Sequence, residues 1–487
     1  MEDAVERLTQ LIRGGADSTL PNAREALSAL FGDRYHKRHL SRTAVRDALK
    51  LGTGEEGEQG VPFAGMINPD NPESGPYGGS SLVWFPAKDR GSLITFVVGT
   101  RGLSPDDGVL TRPGHRRRVA ALRRVLANMD VECWSKPDPS NLSVAIPHSV
   151  SARFGGFEKA LSRYGHEIYS LALVPADGDI DVVRRVVTAY LDLYAYERGW
   201  ETLAAHRSER DSFLEMLRKD LFPEVNAGLV FERLKARHFV ILQGPPGTGK
   251  TRLANEVLER QFGGRGFTIQ FHPAVTYEDF VVGLEPDTAA GDALRFLVRP
   301  GWLVDACEQA RDEPFLLVVD EINRADLGKI LGEAIYLFEP GEIGRRTVTL
   351  AHPVHGSRSI SMPTNLYVLG TMNTADRSIA HVDLAIRRRF TFITMMPERG
   401  PVASQGFALA TDFYDRICDV FIEHAPAEAL DLLPGHSYFL ADSEEELRKR
   451  MRFELVPLLD DYLREGYLGP ATTELNAVRD ALDDAVR

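Results

Sequence analysis

The chain contains 487 residues, too many for one hydrophobic core, so about two to three domains are expected. Hydrophobic residues make up 43% and charged residues 26% of the sequence, a globular composition that excludes wholesale disorder. A formal net charge of −13 argues against a surface that binds nucleic acid everywhere, while leaving local basic patches open.

The cysteine and apolar patterns indicate the compartment. Cys133, Cys307 and Cys418 are scattered and odd in number, which argues against a disulfide framework and favours a reducing environment. The N-terminal residues lack the apolar core of a signal peptide, and no run of about eighteen apolar residues occurs. We therefore expect a cytoplasmic protein without a membrane-spanning segment.

Residues 1–180 are predicted to form an N-terminal α+β domain that recognises a target. Helical spacing of apolar residues predicts helices over residues 1 to about 50, the last of them over Val45–Leu51. The Gly- and Pro-rich stretch Leu51–Ser80 predicts a loop, and two β-rich runs between Ser81 and Thr100 predict a hairpin. A further β-rich run, Ile168–Ala176, is expected in the same sheet. The pattern matches no known module, so the target stays open.

An arginine-rich stretch lies inside this domain. Residues 101–124 contain seven arginines and two acidic residues, a local charge of +5. One interpretation is a surface that contacts the phosphate backbone of nucleic acid, and the other is a solvated helix face paired with acids elsewhere in the fold. The candidate contacts are Arg112, Arg116, Arg117, Arg118, Arg123 and Arg124.

Residues 181–227 are predicted to be a helical linker, and residues 228–395 a nucleotide-binding core. In the core, short apolar runs alternate with helical segments, which predicts a doubly wound parallel sheet with its site at the carboxyl ends of the strands. The predicted strands are Val240–Leu242, Phe267–Phe271, Phe315–Val319, Tyr367–Leu369 and Phe390–Thr394. A β-hairpin insertion is expected within Gly341–Pro363, and helices from Met396 to the end.

A phosphate-binding loop follows the first of these strands. The spacing fits G-x-x-x-x-G-K-[ST], in which glycines let backbone N–H groups face phosphate oxygens and the next helix adds its positive end. Lys250 is expected to reach the β- and γ-phosphates, and the Thr251 hydroxyl to bind Mg²⁺. The candidate nucleotide-binding residues are Gly244, Pro245, Pro246, Gly247, Thr248, Gly249, Lys250 and Thr251.

Polar residues at the ends of two later strands complete the predicted site. Asp320 and Glu321 follow an apolar strand, which suits a Mg²⁺ ligand beside a base that activates water. Asn373 follows the next strand and is expected to sense the γ-phosphate. In a ring, an arginine reaching the neighbour's nucleotide would neutralise transition-state charge. The candidates for that role are Arg388 and Arg389, with Arg324 and Arg377 as further trans contacts.

Five motifs together resemble the McrB-like branch of AAA+ proteins, the motor subunits of modification-dependent restriction systems. They cover Leu229 to about Leu468, roughly half of the chain. The DEINRAD motif is also similar to MoxR-like ATPases, whereas the second and fourth motifs favour the McrB-like branch. The motifs are GPPGTGKT, FHPAVTYEDFVVGLEP (Phe271–Pro286), DEINRAD (Asp320–Asp326), GTMNTADRS with the trailing DLAIRRRF, and GHSYFL (Gly435–Leu440).

The resemblance implies an AAA+ core followed by a helical lid over residues 396–487. It implies Mg²⁺-dependent hydrolysis of ATP or GTP by a ring, expected to be a hexamer. Hydrolysis would drive translocation on DNA with a separate McrC-like nuclease subunit in anti-phage defence. The choice between ATP and GTP stays open, as does the identity of the partner. The alternatives are a MoxR-like ATP-driven chaperone that remodels a protein, and a scaffold that binds nucleotide but barely hydrolyses it.

Overall fold

The computed structural model describes residues 2–14, 26, 29–30, 44–47, 61, 63–67, 78–100, 107–197, 215, 218–219, 221–287, 295–375 and 384–487. The chain divides into two compact units, Met1–Leu221 with Ile422–His424, and Phe222–Phe421 with Ala425–Arg487. The domain boundaries inferred from the sequence stay a prediction. Within the ranges just given, every helix is too short or too polar to cross a membrane.

The first unit is built on an antiparallel sheet with strand order β1-β2-β3-β4-β6-β5. Its strands are β1 Ala44–Asp47, β2 Ala64–Ile67, β3 Ser80–Ala87, β4 Gly91–Val98, β5 Cys133–Ser135 and β6 Ile168–Val174. Its helices are α1 Glu2–Arg13, α2 Asp107–Leu110, α3 Pro113–Asn128, α4 His148–Ser151, α5 Glu158–Arg163 and α6 Ile180–Tyr196. The predicted hairpin and its pairing with the Ile168 strand are both present, which confirms the α+β class.

Both faces of this sheet are covered by apolar side chains. Alternate residues of a strand point to opposite faces, so β3 and β4 supply two cores. On one face Leu8 and Leu122 pack with Tyr190, which lies on α6. On the other face Phe154 and Phe157 pack against the sheet.

Two predictions about the N-terminal segment were wrong. Ala44–Asp47, expected to begin a helix, is a strand, and it pairs antiparallel with Ala64–Ile67, which lies inside the predicted loop. Pairing with a neighbouring strand outweighs the weak local preference of a four-residue segment. The helix expected around Ala26–Phe31 lies mostly outside the described residues.

The second unit contains a parallel sheet with strand order β15-β7-β14-β11-β8. Its strands are β7 Phe239–Gly244, β8 Gly266–Gln270, β11 Phe315–Asp320, β14 Leu366–Asn373 and β15 Thr391–Thr394. The helices α7 Ala227–Arg237 and α8 Lys250–Gln261 cover one face, and α10 Trp302–Gln309 covers the other. The predicted doubly wound core is therefore confirmed.

Strand register decides which side chains meet at the site. Asn373 lies opposite Gly244 on β7, and Val319 lies opposite Gly370 on β14. Because the strands are parallel, the phosphate loop, the two carboxylates and Asn373 all emerge at the same edge of the sheet.

Two hairpins interrupt the core, and helices follow it. The hairpin of β12 Thr347–Val354 and β13 Ser357–Ser361 was predicted, whereas that of β9 Val282–Pro286 and β10 Phe296–Pro300 was missed. The remaining described helices after α8 are α9 Tyr277–Phe280, α11 Leu327–Leu331, α12 Leu384–Arg387, α13 Arg399–Ser404, α14 Ala408–His424, α15 Glu444–Arg450, α16 Val456–Arg464 and α17 Thr472–Val486. The helical C-terminal region expected after Met396 is thus present.

Candidate functional site

The phosphate loop turns from β7 into α8 through three glycines with positive φ. These are Gly244 (φ 150°), Gly247 (φ 77°) and Gly249 (φ 79°), values that residues with a side chain rarely adopt. At Gly244 a Cβ would also lie 2.1 Å from the Met395 carbonyl oxygen. Among the described residues, no side chain caps the helix that starts at Lys250, so its first N–H groups can bind an anion.

Lys250 is held against the loop that precedes it. Its buried ammonium donates hydrogen bonds to the carbonyl oxygens of Gly244 at 3.1 Å and Pro245 at 2.7 Å. The Thr248 hydroxyl also donates to the Pro245 carbonyl, at 3.1 Å. The cation is therefore placed inside the curl of the loop.

One carboxylate oxygen of Asp320 accepts hydrogen bonds from two hydroxyl groups. The Thr251 hydroxyl donates to Asp320 Oδ1 at 2.9 Å, and the Thr371 hydroxyl donates to the same atom at 2.5 Å. The first contact joins the phosphate loop to β11, as the predicted metal site requires. The second comes from β14.

Both carboxylate oxygens of Glu321 are bonded. Asn373 Nδ2 donates to Oε1 at 2.7 Å, and Arg324 Nε lies 3.2 Å from Oε2. The Glu321 N–H donates to the Thr371 hydroxyl at 3.2 Å, and the Glu321 backbone is left-handed with φ 52°. A left-handed backbone at a residue with a side chain is strained, and such strain clusters at functional sites. The structure thus brings together Asp320, Glu321 and Asn373.

Sequence reasoning missed Thr371, whose hydroxyl links the Asp320 carboxylate to the Glu321 backbone N–H. A strand repeats its faces every two residues, so Thr371 and Asn373 project from the same face of β14. That spacing in the GTMN motif was a signal that could have identified it. The side chain is 2% exposed, and both its donor and acceptor functions are used within the site.

The two arginines expected to act in trans differ in exposure. Arg388 is 66% exposed, and its guanidinium is 4.0 Å from Glu339. Arg389 is 8% exposed and donates to the Ala385 carbonyl oxygen at 2.8 Å. Arg389 is therefore buried against its own chain, and Arg388 is the more accessible of the two candidates. Arg377 lies outside the described residues.

Only some side chains of the arginine-rich stretch in the first unit are exposed to solvent. Arg116, Arg123 and Arg124 are exposed on α3, whereas Arg112 and Arg117 are half-buried. Arg116 forms an ion pair with Asp138 at 2.8 Å.

Arg118 contradicts the expectation of a phosphate contact. It is 4% exposed and its Nε lies 2.5 Å from Glu197 Oε1. Burial alone would lower the pKa of Arg118, but attraction and hydrogen bonding by Glu197, and then by Glu423, together outweigh it and raise that pKa. Burial alone would raise the pKa of Glu197, but His115 and Arg118 lower it to about 2. Arg118 is a buried ion-pair partner and not a surface cation.

Comparisons with known proteins agree with this geometry. Residues 239–390 match the family described as AAA domain (dynein-related subfamily). The chain is 30% identical over 357 residues to the Type IV methyl-directed restriction enzyme EcoKMcrB subunit of Escherichia coli (strain K12), covering 66% of this chain and 75% of that protein. It is 24% identical over 189 residues to the Type II restriction enzyme BsuMI component YdiS of Bacillus subtilis (strain 168), covering 31% of this chain and 55% of that protein.

Among solved structures, a presumed ATPase of Cytophaga hutchinsonii matches with 17% identity, over 54% of this chain and 76% of that chain. Its TM-score of 0.25 is too low to support a structural conclusion. The family rests on the AAA match, which spans the phosphate loop and both later strand ends, and on the long alignment with the Escherichia coli subunit. The chain therefore belongs to the McrB-like family of AAA+ NTPases.

Proposed function

We propose that this NTPase is the ring-forming, hexameric motor of a restriction system that moves DNA with a separate nuclease subunit. The observation that carries the proposal is the phosphate loop beside Asp320, Glu321 and Asn373, in a chain whose relatives are named as parts of restriction enzymes. The three cysteines are buried thiols, which fits action in the reducing cytoplasm.

The residues of the loop suit a triphosphate and its metal ion. Lys250 and the loop N–H groups bind the phosphates. The Thr251 hydroxyl and the Asp320 carboxylate supply the oxygen ligands that Mg²⁺ prefers. When bound, that ion neutralises negative charge that builds up on the phosphates during transfer.

Glu321 is the proposed general base. Asn373 fixes one of its oxygens and so orients the carboxylate towards the phosphate side of the sheet edge. Arg324 holds the other oxygen in a half-exposed ion pair. Such pairs contribute at most about 1 kcal/mol, so this contact can give way before Oε2 accepts a proton from water.

Arg388 is the proposed trans arginine, because its guanidinium is exposed while that of Arg389 is not. Arg377 stays a further candidate, and Arg324 would need to leave Glu321 to serve a neighbour. We propose that the N-terminal domain, predicted to span residues 1–180, recognises the DNA target. Its candidate contacts are Arg112, Arg116, Arg117, Arg123 and Arg124.

The test is steady-state hydrolysis of ATP and of GTP, each with and without DNA and with and without the product of the adjacent gene. A restriction motor is stimulated by that product, and DNA cleavage appears in the mixture. Hydrolysis of ATP alone, indifferent to both additions, would instead favour a chaperone that remodels a protein.

Glu321→Gln tests the assignment of the base. The variant should keep nucleotide binding and oligomerisation while hydrolysis falls at least about a hundredfold, since general base catalysis contributes about that much or more. Glu232→Gln is the matched control, because Glu232 is exposed on α7. Hydrolysis at the control's rate by Glu321→Gln would remove Glu321 from the mechanism.

A further inference from the structure

We propose that Gly435–Phe439, a segment of the C-terminal helical region that we call the brace, positions the phosphate loop for nucleotide binding. The Gly435 N–H donates to the Pro246 carbonyl oxygen at 3.0 Å, and the Ser437 N–H donates to the Gly247 carbonyl oxygen at 3.1 Å. The proposal rests on Gly244–Thr251 being the phosphate loop.

These two bonds fix the direction of the loop's N–H groups. A peptide unit is planar and trans, so its C=O and N–H point in opposite directions. Holding the carbonyl of Pro246 aims the N–H of Gly247 away from the brace, and holding that of Gly247 aims the N–H of Thr248 the same way. Since N–H groups of this loop are what bind phosphate, the brace sets the donors without touching the ligand.

The brace approaches so closely that only glycine fits at the contact. A Cβ at Gly435 would lie 2.0 Å from the Gly247 carbonyl carbon and 2.5 Å from the Pro246 carbonyl oxygen. The Gly435 backbone itself is ordinary, with φ −64° and ψ 159°. A side chain is therefore excluded by the phosphate loop and not by backbone strain.

His436 anchors the brace to the segment between β15 and α13. It is 5% exposed, and its Nδ1 accepts a hydrogen bond from the Glu398 N–H at 3.2 Å. Burial and then the charge of Arg252 lower the pKa of His436 to about 4, so the imidazole is neutral near pH 7 and can accept that bond. Near Glu398 the chain also bonds to β7, through the Met395 N–H and the Gln243 carbonyl oxygen at 2.8 Å.

The other end of the brace is packed among the helices. Phe439 is 1% exposed, and its ring meets that of Tyr414 on α14 edge-on with 5.3 Å between centroids. One short segment thus joins the C-terminal helices, the connection from β15 to α13, and the phosphate loop. A shift of those helices would move the carbonyls of the loop.

The first test replaces Gly435 by alanine. Displacing the loop should weaken binding of a fluorescent nucleoside triphosphate at least about tenfold and raise KM by a similar factor. The reason is that the loop N–H groups bind charged phosphates, and hydrogen bonds to charged groups are stronger than those between neutral groups. Gly400→Ala is the matched control, since a Cβ at Gly400 would meet no described atom within 4 Å beyond its chain neighbours and its own helix backbone. Binding by Gly435→Ala within about twofold of the control overturns the proposal.

A second pair of variants serves if Gly435→Ala fails to fold. In His436→Asn the side-chain oxygen can take the place of Nδ1 and accept the Glu398 N–H, whereas in His436→Gln the amide extends towards the place of Nε2. We expect nucleotide affinity near wild type for His436→Asn and a loss of at least about tenfold for His436→Gln.

If His436→Gln keeps nucleotide affinity and His436→Asn loses it, the proposal is overturned, because the anchoring atom would then be Nε2. Equal affinities for both variants and the wild type would also overturn it. These are binding measurements on the full chain, made without DNA or a partner. A failure of the restriction-motor proposal, seen in hydrolysis with DNA and the adjacent gene product, is therefore distinguishable from a failure of the brace.

Discussion

Thr371→Val removes one hydroxyl that two carboxylate-bearing residues share. Valine has nearly the same shape as threonine, so the buried site stays filled while its hydrogen bonds are removed. In the native chain the hydroxyl donates to Asp320 Oδ1 at 2.5 Å and accepts the Glu321 N–H at 3.2 Å. The substitution therefore takes a donor from a carboxylate and leaves a backbone N–H without its acceptor.

The magnitude follows from those two effects. A hydrogen bond to a charged group contributes about 1.5–3 kcal/mol, and an unsatisfied buried donor costs about 1–3 kcal/mol. Allowing for overlap, Thr371→Val should lower the free energy of unfolding by about 2–4 kcal/mol. At about 2–4 °C per kcal/mol for a unit of this size, the Tm should fall by about 5–15 °C. Because Asp320 and Glu321 lose their common support, kcat should fall at least about tenfold.

The assay is thermal unfolding of the nucleotide-free protein together with hydrolysis at saturating nucleotide over a Mg²⁺ titration. Thr371→Ser is the control, since it removes a methyl group but keeps the hydroxyl. We expect the serine variant to hydrolyse nucleotide at a rate close to wild type. If the valine variant matches the serine variant in both Tm and kcat, the shared hydroxyl does not support the site and the reasoning is refuted.

Exposure and charge decide three further outcomes. Arg388→Ala should reduce hydrolysis by about 10³-fold with an unchanged Tm, whereas Arg389→Ala should mainly lower the Tm; the opposite result would contradict the burial argument. If α3 binds DNA, reversing its exposed cations should reduce the slope of log K against log salt by about 0.9 for each DNA phosphate that the variant no longer neutralises, and an unchanged slope would exclude this surface. The cations reversed are Arg116, Arg123 and Arg124. The pKa of His436 is lowered from 6.5 to about 4, so its contribution to stability is complete above about pH 6.5 and declines as the pH falls towards 4. At pH 5 the free energy of unfolding should have declined by about 2 kcal/mol. Urea unfolding of wild type and of His436→Asn at pH 7 and pH 5 measures this decline as the change in the difference between the two proteins.

The catalytic edge of the sheet was predictable because it depends on local patterns. An apolar run ending in Gly244, Asp320 or Asn373 is a buried strand whose last residue reaches the carboxyl edge, and parallel strands bring those ends together. The sequence alone could therefore predict that Glu321 and Asn373 lie near the loop. It did not identify the Thr371 hydroxyl between the Asp320 carboxylate and the Glu321 N–H, although the two-residue spacing to Asn373 allowed it.

Burial of charged residues was not predicted, although part of the signal was present. Arg118 precedes Leu122 by four residues and Val125 by seven, so it lies on the apolar face of α3. Its burial depends on Glu197 and Glu423, which are far away in the chain and supply the compensating charge. The conformation of β1 likewise depends on a distant part of the chain, because it is set by pairing with β2.

Hydrogen bonds hold the phosphate loop on two sides, and they affect its affinity for nucleotide. On one side the Thr251 hydroxyl is bonded to Asp320, and on the other the brace holds the carbonyls of Pro246 and Gly247. A loop that already has its bound shape gives up little conformational entropy when the ligand arrives, so more of the interaction energy appears as affinity. Lys250 exchanges partners on binding, from the loop carbonyls to the phosphates. Any movement of the helices that carry the brace would remove this preorganisation, and nucleotide affinity would then depend on where those helices lie.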